Sequence, residues 1–330
     1  MTIQLTVIGL GKIGTSFGLA LKYHKDKILR VGHDRNQSIH SKVKELDAFD
    51  QTPAKISSAV EDADIVILAL PIDEIKDTIE IIAPYLKPGA VVMDTSPLKI
   101  GISKIIEQFL PEDRYFVTFH PTLNPDFLHE VSNALEFARQ DLFKNSHIVI
   151  TNSTSTDGDA VKLAADLAKY LGANPLFADP HEIDGLVASS VYLPKLISAA
   201  YIHSLSEQPG WREGRKIAGT AFYSLTENVK YLDEREILGS GALLNKENTI
   251  RTINDLMYVL KDLRELIIND DTEGLQKWLE DAQEERETWV RDRKKANWDN
   301  FEDYSDVPSS GDFIKQMFGF GKKRKKLDSK

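Results

Sequence analysis

Residues 3–14 read Ile-Gln-Leu-Thr-Val-Ile-Gly-Leu-Gly-Lys-Ile-Gly, an apolar strand running straight into Gly9, Gly11 and Gly14 and then into a helix-forming stretch. In that context Gly9 permits the tight turn, Gly11 lets the backbone approach a pyrophosphate, and Gly14 lets the new helix pack against the strand. The helix N-terminus presents free N–H groups to the phosphates. Leu10, Lys12 and Ile13 complete the turn assigned to the cofactor. A second apolar run, Ile28–His33, ends in Asp34, about 20 residues beyond Gly14, where an acidic side chain bonds the adenosine ribose. A carboxylate there accepts from a free 2′-hydroxyl and repels a 2′-phosphate, which favours NAD over NADP, while Arg35 next to it is a guanidinium able to hold a phosphate.

Outward from this stretch, candidate strands at Gln4–Ile8, Ile28–His33, Ile65–Leu70, Val91–Asp94, Arg114–Thr118, His147–Ile150 and Pro175–Ala178 alternate with amphipathic helical stretches. Helices are expected at Ile13–Tyr23, Gln37–Leu46, Glu74–Tyr85, Ile102–Phe109 and Asp157–Leu171, the last stopped by Gly172-Ala-Asn174. The fold class is α/β, a Rossmann-type doubly wound sheet extended by the later strands and followed by an all-α C-terminal part. The expected division is a dinucleotide-binding domain over 1–179, a helical substrate and dimerisation domain over 180–296, and a loop with a basic tail over 297–330. The helical stretch Ile250–Ile268 carries one broad apolar stripe that needs a partner surface, either intramolecular core or a second copy, and a homodimer is expected by analogy with other dinucleotide folds. In the tail, Phe313–Phe320 is apolar and Lys322–Lys326 is a basic run, read as a solvated end.

The bulk properties narrow the class. A chain of 330 residues, 42% hydrophobic and 28% charged, has the composition of a soluble globular protein of two domains. Its net charge of −10 argues against nucleic acid as a partner, and zero cysteines exclude disulfides, thiolate metal sites and a cysteine nucleophile. No His, Asp or Glu spacing resembles a metal site, so no metal is expected. Met1-Thr2 leads directly into a strand, and the longest apolar run noted, Ile65–Ile72, is too short to span a bilayer. The expectation is a cytoplasmic enzyme with no membrane span, acting on a small-molecule carboxylate.

The chemistry is expected at the carboxyl edge of the sheet, where ligands of such folds bind. Leu70 and Pro71, in Ala69–Asp73, lie there beside the cofactor. In Asp94–Lys99, Ser96 and Lys99 offer a hydroxyl and a cation to the nicotinamide ribose or a substrate carboxylate, the plain alternative being a Ser-Pro turn. His120, in Phe119-His-Pro121, follows a strand at the same edge and suits the role of taking a hydroxyl proton as hydride leaves the carbon. His181 opens the helical half, where a cleft, capping or hinge role is open.

Taken together, the chain resembles the prephenate/arogenate dehydrogenase family of tyrosine biosynthesis. The resemblance runs through Val7–Gly14, Gly32–Asn36, Asp62–Pro71, Leu86–Gly89, Asp94–Lys99 and Phe119–Pro121, with weaker echoes in Asp184–Pro194 and Gly210–Ala218. It implies oxidative decarboxylation, in which NAD takes hydride from the carbinol carbon of a cyclohexadienol, carbon dioxide leaves and the ring aromatises, and it makes His120 the catalytic histidine that hydrogen-bonds the substrate hydroxyl. The chain also departs from the family. Tyr192 and Lys195 stand where the signature helix has two histidines, Lys216 beside Arg215 stands at the usual carboxylate-binding arginine, Pro97 replaces a common serine, and Pro121–Pro125 replaces the usual H-P-x-A-G. A lysine neutralises a carboxylate but cannot fork it. Substrate contacts are accordingly assigned to Ser96, Lys99, Tyr192, Lys195, Arg212, Arg215 and Lys216. The alternatives are a related NAD(P)-dependent oxidoreductase on another carboxylate-bearing hydroxy or imino substrate, and a non-catalytic dinucleotide-binding sensor.

Overall fold

The computed structural model describes residues 2–130, 132–151, 157–229 and 235–295. Five parallel strands, β1 (Ile3–Ile8), β2 (Ile28–His33), β3 (Ile65–Leu68), β4 (Val91–Asp94) and β5 (Tyr115–Thr118), form a sheet in the order β2-β1-β3-β4-β5. The order reverses between β1 and β3, which opens a crevice at the carboxyl ends of those two strands, where the glycine turn lies. An isolated parallel bridge between Val31 and Gln51 extends the β2 edge.

Each strand buries both faces, which is why the sequence reads as apolar runs instead of clean alternation. Leu5, Val7, Ile67, Met93 and Val117 join one core with Phe17, while Ile8, Val66, Leu68, Val92 and Phe116 join the other with Ile75, Ile79, Ile102 and Ile106. The covering helices are α1 (Lys12–Ala20), α2 (Ser38–Glu45), α3 (Ile56–Val60), α4 (Ile75–Ile82), α5 (Ile100–Phe109) and α6 (Gly158–Tyr170). The five-residue α3 is too short to carry a periodic signal and went unread in the sequence. Gly172, at φ +77°, ends α6 as expected.

The later strands correct one expectation. They do not extend the parallel sheet but form a second one, β6 (His120–Pro121), β7 (His147–Ile150) and β8 (Asn174–Phe177), with β6 antiparallel to β7 and β7 parallel to β8. The chain crosses between sheets at one point. Phe119 N–H still donates to Asp94 O at 2.8 Å, and the next residue, His120, already pairs with Val149. Thr118 clamps the junction, its hydroxyl accepting from Thr151 N–H at 2.8 Å.

Helices alone follow β8 within the described residues: α7 (Pro180–Val187), α8 (Leu193–Ser206), α9 (Trp211–Ile217), α10 (Thr220–Thr226), α11 (Arg235–Leu244), α12 (Lys246–Ile268) and α13 (Thr272–Lys295). Asp179 caps α7 through His181 N–H and Glu182 N–H, with Pro180 in the first turn, so His181 itself stays exposed. A π turn, Ala188–Tyr192, fuses α7 to α8 into a 27-residue helical run, Pro180–Ser206, that by length and composition alone could cross a membrane. The sequence expectation missed it by weighing the longest unbroken apolar segment; Ile183, Val187 and Tyr192 of this run pack into the core. The apolar segment 313–320 and the basic run 322–326 lie outside the described residues.

Candidate active site

The glycine turn is built as its residues require. Gly9 sits at φ +92°, and a Cβ there would come within 2.3 Å of Ala69 O, in the loop that leads to Leu70 and Pro71. A Cβ on Gly14 would meet Gly9 O at 1.8 Å, whereas one on Gly11 would have only Asn133 O nearby, at 3.5 Å. Asp34 braces the turn, accepting from Leu10 N–H and Asn36 N–H at 2.8 Å each; each carboxylate oxygen has a further lone pair for a ribose hydroxyl. Arg35 is 81% exposed and paired with Glu74 at 2.9 Å. His40, which nothing in the sequence singled out, places its Nε2 3.0 Å from Asp34 O and steadies the same corner.

One contact works against a bound pyrophosphate. The Lys12 N–H, at the start of α1 where a phosphate oxygen belongs, instead donates to Asn133 O at 3.0 Å. Asn133 belongs to a strap, residues 124–130 and 132–139, laid over the turn. Arg139 N–H donates to Ser16 Oγ at 2.9 Å, and Lys12, only 1% exposed, lies 3.5 Å from Glu130, which also pairs with Arg139. Burial lowers the Lys12 pKa, an effect that Glu130 partly offsets. The strap's residues carry no motif, so the sequence reading missed Glu130, Asn133 and Arg139.

His120 stands where the two sheets part, partly exposed. Its Nδ1 lies 2.8 Å from Thr95 O; a carbonyl only accepts, so Nδ1 carries the hydrogen and the lone pair is on Nε2. Burial, then the charge of Lys99, pushes its pKa down to about 3, and only the Thr95 carbonyl opposes this. The imidazole is neutral at physiological pH and able to accept a proton.

In the neighbouring loop two of the assigned side chains have partners within the loop itself. Ser96, 5% exposed, spends its hydroxyl on Asp94 Oδ2 and Leu98 O. Lys99, with no exposed surface, donates from Nζ to Ser96 O at 2.7 Å. Both hold the loop together, because the polar residues of a strand-ending turn find partners within it before they reach solvent. Burial lowers the Lys99 pKa to about 8 against the pull of Asp94 and Asp184. Asp184, from α7, accepts from Lys99 N–H at 2.7 Å and Ile100 N–H at 3.1 Å, so the helical half caps α5. Tyr192 is buried as well. It is 4% exposed and packed where a Cβ on Gly241 would strike its hydroxyl at 2.1 Å, and burial raises its pKa to about 12. Lys195 is half-buried on α8, while Arg212, Arg215 and Lys216 are exposed on α9, Lys216 paired with Glu213. α9 is anchored by Trp211, 5.5 Å from the Phe222 ring. Among the described residues no cluster of three His, Asp or Glu side chains could hold a metal.

Residues 17–176 match the model of the nucleotide-binding domain of prephenate dehydrogenase. The cyclohexadienyl dehydrogenase of Zymomonas mobilis is 23% identical over 287 residues, 86% of this chain and 94% of that protein. The prephenate dehydrogenase of Bacillus subtilis is 23% identical over 321 residues, 96% of this chain and 84% of that protein. Among solved structures, prephenate dehydrogenase from A. aeolicus in complex with hydroxyphenyl propionate and NAD+ superimposes with a TM-score of 0.76 at 22% identity, covering 87% of this chain and 98% of that one. That likeness extends to the fold of the helical half.

Proposed function

We infer that this chain, which belongs to the prephenate/arogenate dehydrogenase family, is an NAD-dependent dehydrogenase that oxidatively decarboxylates a cyclohexadienol carboxylate. The observation that carries this reading is His120: a neutral imidazole with Nδ1 fixed on Thr95 O and its lone pair left on Nε2, at the same sheet edge as the Gly9–Gly14 turn. Bound NAD supplies the hydride acceptor. The protein's own work is to hold the ring's hydroxyl against Nε2, take its proton as hydride departs, and exclude water; release of carbon dioxide and aromatisation make the reaction downhill, so orientation and proton acceptance suffice.

Gly9, Leu10, Gly11, Lys12, Ile13 and Gly14 hold the pyrophosphate once Asn133 yields, Asp34 holds the adenosine ribose, and Leu70 and Pro71 flank the nicotinamide. The substrate carboxylates are met from the helical half by Lys195 and by Arg212, Arg215 or Lys216, while Ser96, Lys99 and Tyr192 support the site from behind. The division into 1–179, 180–296 and 297–330 follows from the same reading, with the helical part pairing two copies. Support for the pairing comes from α12, whose Ile253, Met257, Leu260 and Ile267 are 37–62% exposed, an apolar surface that a second copy would cover.

NADH formation by the full chain, followed by absorbance with prephenate and separately with arogenate, tests this. Turnover of either supports the reading and names the substrate; turnover of neither overturns it and leaves the alternative of another carboxylate-bearing hydroxy or imino substrate.

A further inference from the structure

A lysine with no exposed surface is expensive in a fold unless its charge is used, since an apolar side chain of similar length fills the same space without the cost of dehydrating an ammonium. Lys99 is such a lysine, and its place is specific. Its Nζ donates to Ser96 O at 2.7 Å, while His120 Nδ1–H donates to Thr95 O at 2.8 Å. An ammonium and an imidazole thus grip successive carbonyls of one turn. The turn is tied down on both flanks. Asp94, fully buried, accepts from Ser96 N–H and Oγ through Oδ2, and its Oδ1 is buried without a hydrogen-bond partner. Asp184, reaching in from α7, takes the Lys99 and Ile100 N–H groups. Asp94 and Asp184 are the charged groups acting on Lys99, and Lys99 is the charged group acting on His120.

We propose that Lys99 is a positioning residue for the dehydrogenase reaction: its ammonium fixes the Ser96 carbonyl, and through that turn the adjacent Thr95 carbonyl that orients His120, and keeps positive charge off the imidazole until substrate arrives. This rests on the reading of His120 as proton acceptor. Lys99 does not touch substrate. It acts through His120, and the lowered pKa of the imidazole agrees with that, since burial is aided by this one cation. Asp184 makes the arrangement depend on the helical half, because α7 must be docked for the start of α5, and with it Lys99, to be held.

The deciding experiment is a proton NMR titration of the His120 ring in the full chain without cofactor, its resonance identified by its loss in His120→Asn. In the wild type the midpoint should lie well below that of an ordinary histidine. Lys99→Gln, which keeps an amide donor for Ser96 O but removes the charge, should raise the midpoint by about one to two pH units, and Lys99→Arg should leave it low. The acid limb of kcat/KM should shift in the same direction in Lys99→Gln. A midpoint unmoved in Lys99→Gln, or an ordinary midpoint in the wild type, overturns the proposal. If Lys99→Gln fails to fold because Asp94 is left uncompensated, the paired change Lys99→Gln with Asp94→Asn gives the same readout. The two ideas fail separately: full turnover in His120→Asn removes the proton-acceptor reading, whereas loss of turnover in His120→Asn with an unmoved titration removes only the role of Lys99.

Discussion

At the scale of single residues the site is a set of buried and half-buried polar groups, and His120 is the one whose partner leaves a ring nitrogen chemically free. Its pKa of about 3 in the fold, against an ordinary 6.5, has a consequence for stability. Between those values the unfolded chain holds a proton that the folded chain does not, so stability falls as the pH drops from about 6.5 toward 3 and is unaffected above that window. Urea unfolding of the wild type and His120→Asn at pH 7 and pH 4.5 should therefore show the wild type losing more stability on acidification than the variant; equal losses would mean the ring titrates normally in the fold. Asp34 gives a second expectation. Asp34→Ser should narrow the preference for NAD over NADP, read as the ratio of kcat/KM values, because the carboxylate that repels a 2′-phosphate is gone. His120, Asp34 and the three glycines were legible in the sequence because each is placed by its immediate neighbours: a glycine at a strand end, an acid just past the next strand, a histidine two residues past a later one. The burial of Lys99 and Tyr192 was not legible, because it is settled by Asp184 and Gly241, residues that a linear reading does not bring near them.

At the scale of elements, the turn from β1 into α1 and the strap over it compete for one N–H. The strap is held by Lys12, Glu130 and Arg139, so loosening it should free the turn. Glu130→Gln is expected to tighten NAD binding by a few-fold to about tenfold, the worth of roughly 1 kcal/mol of lost strap contact, measured by isothermal titration calorimetry; weaker binding would show that the strap belongs to the cofactor site instead of obstructing it. The turn itself tolerates no side chain at Gly14, where a Cβ would meet Gly9 O at 1.8 Å. Gly14→Ala should cost about 2 kcal/mol or more in unfolding free energy, since the obstacle is backbone and cannot rotate away. The periodicities that revealed β1 to β5 and most of the covering helices are local, and so were readable. The second sheet was not, because β6 is two residues long and its pairing with β7 joins positions more than twenty residues apart; the strap has no periodicity at all.

At the scale of the whole molecule, the nucleotide-binding half buries its apolar residues and the helical half leaves many in view. Met257 is 62% exposed and Leu260 53% exposed on α12, which a long amphipathic helix does not sustain unless something covers it. Met257→Glu with Leu260→Glu should halve the mass found by analytical ultracentrifugation if two copies meet on this face, and an unchanged mass would place the contact elsewhere. The stripe was legible from the sequence, but which surface covers it was not, since intramolecular packing and association share one pattern. Asp184 joins the two halves chemically, for it caps α5 from α7 and so places the helical part beside His120. Whether that junction is the seat of a dehydrogenase is decided by kcat of His120→Asn with prephenate or arogenate, taken alongside its affinity for NAD. If His120 accepts the proton, kcat falls by about a hundredfold or more while NAD affinity is unchanged; a variant that binds NAD normally and turns over at the wild-type rate would contradict that role.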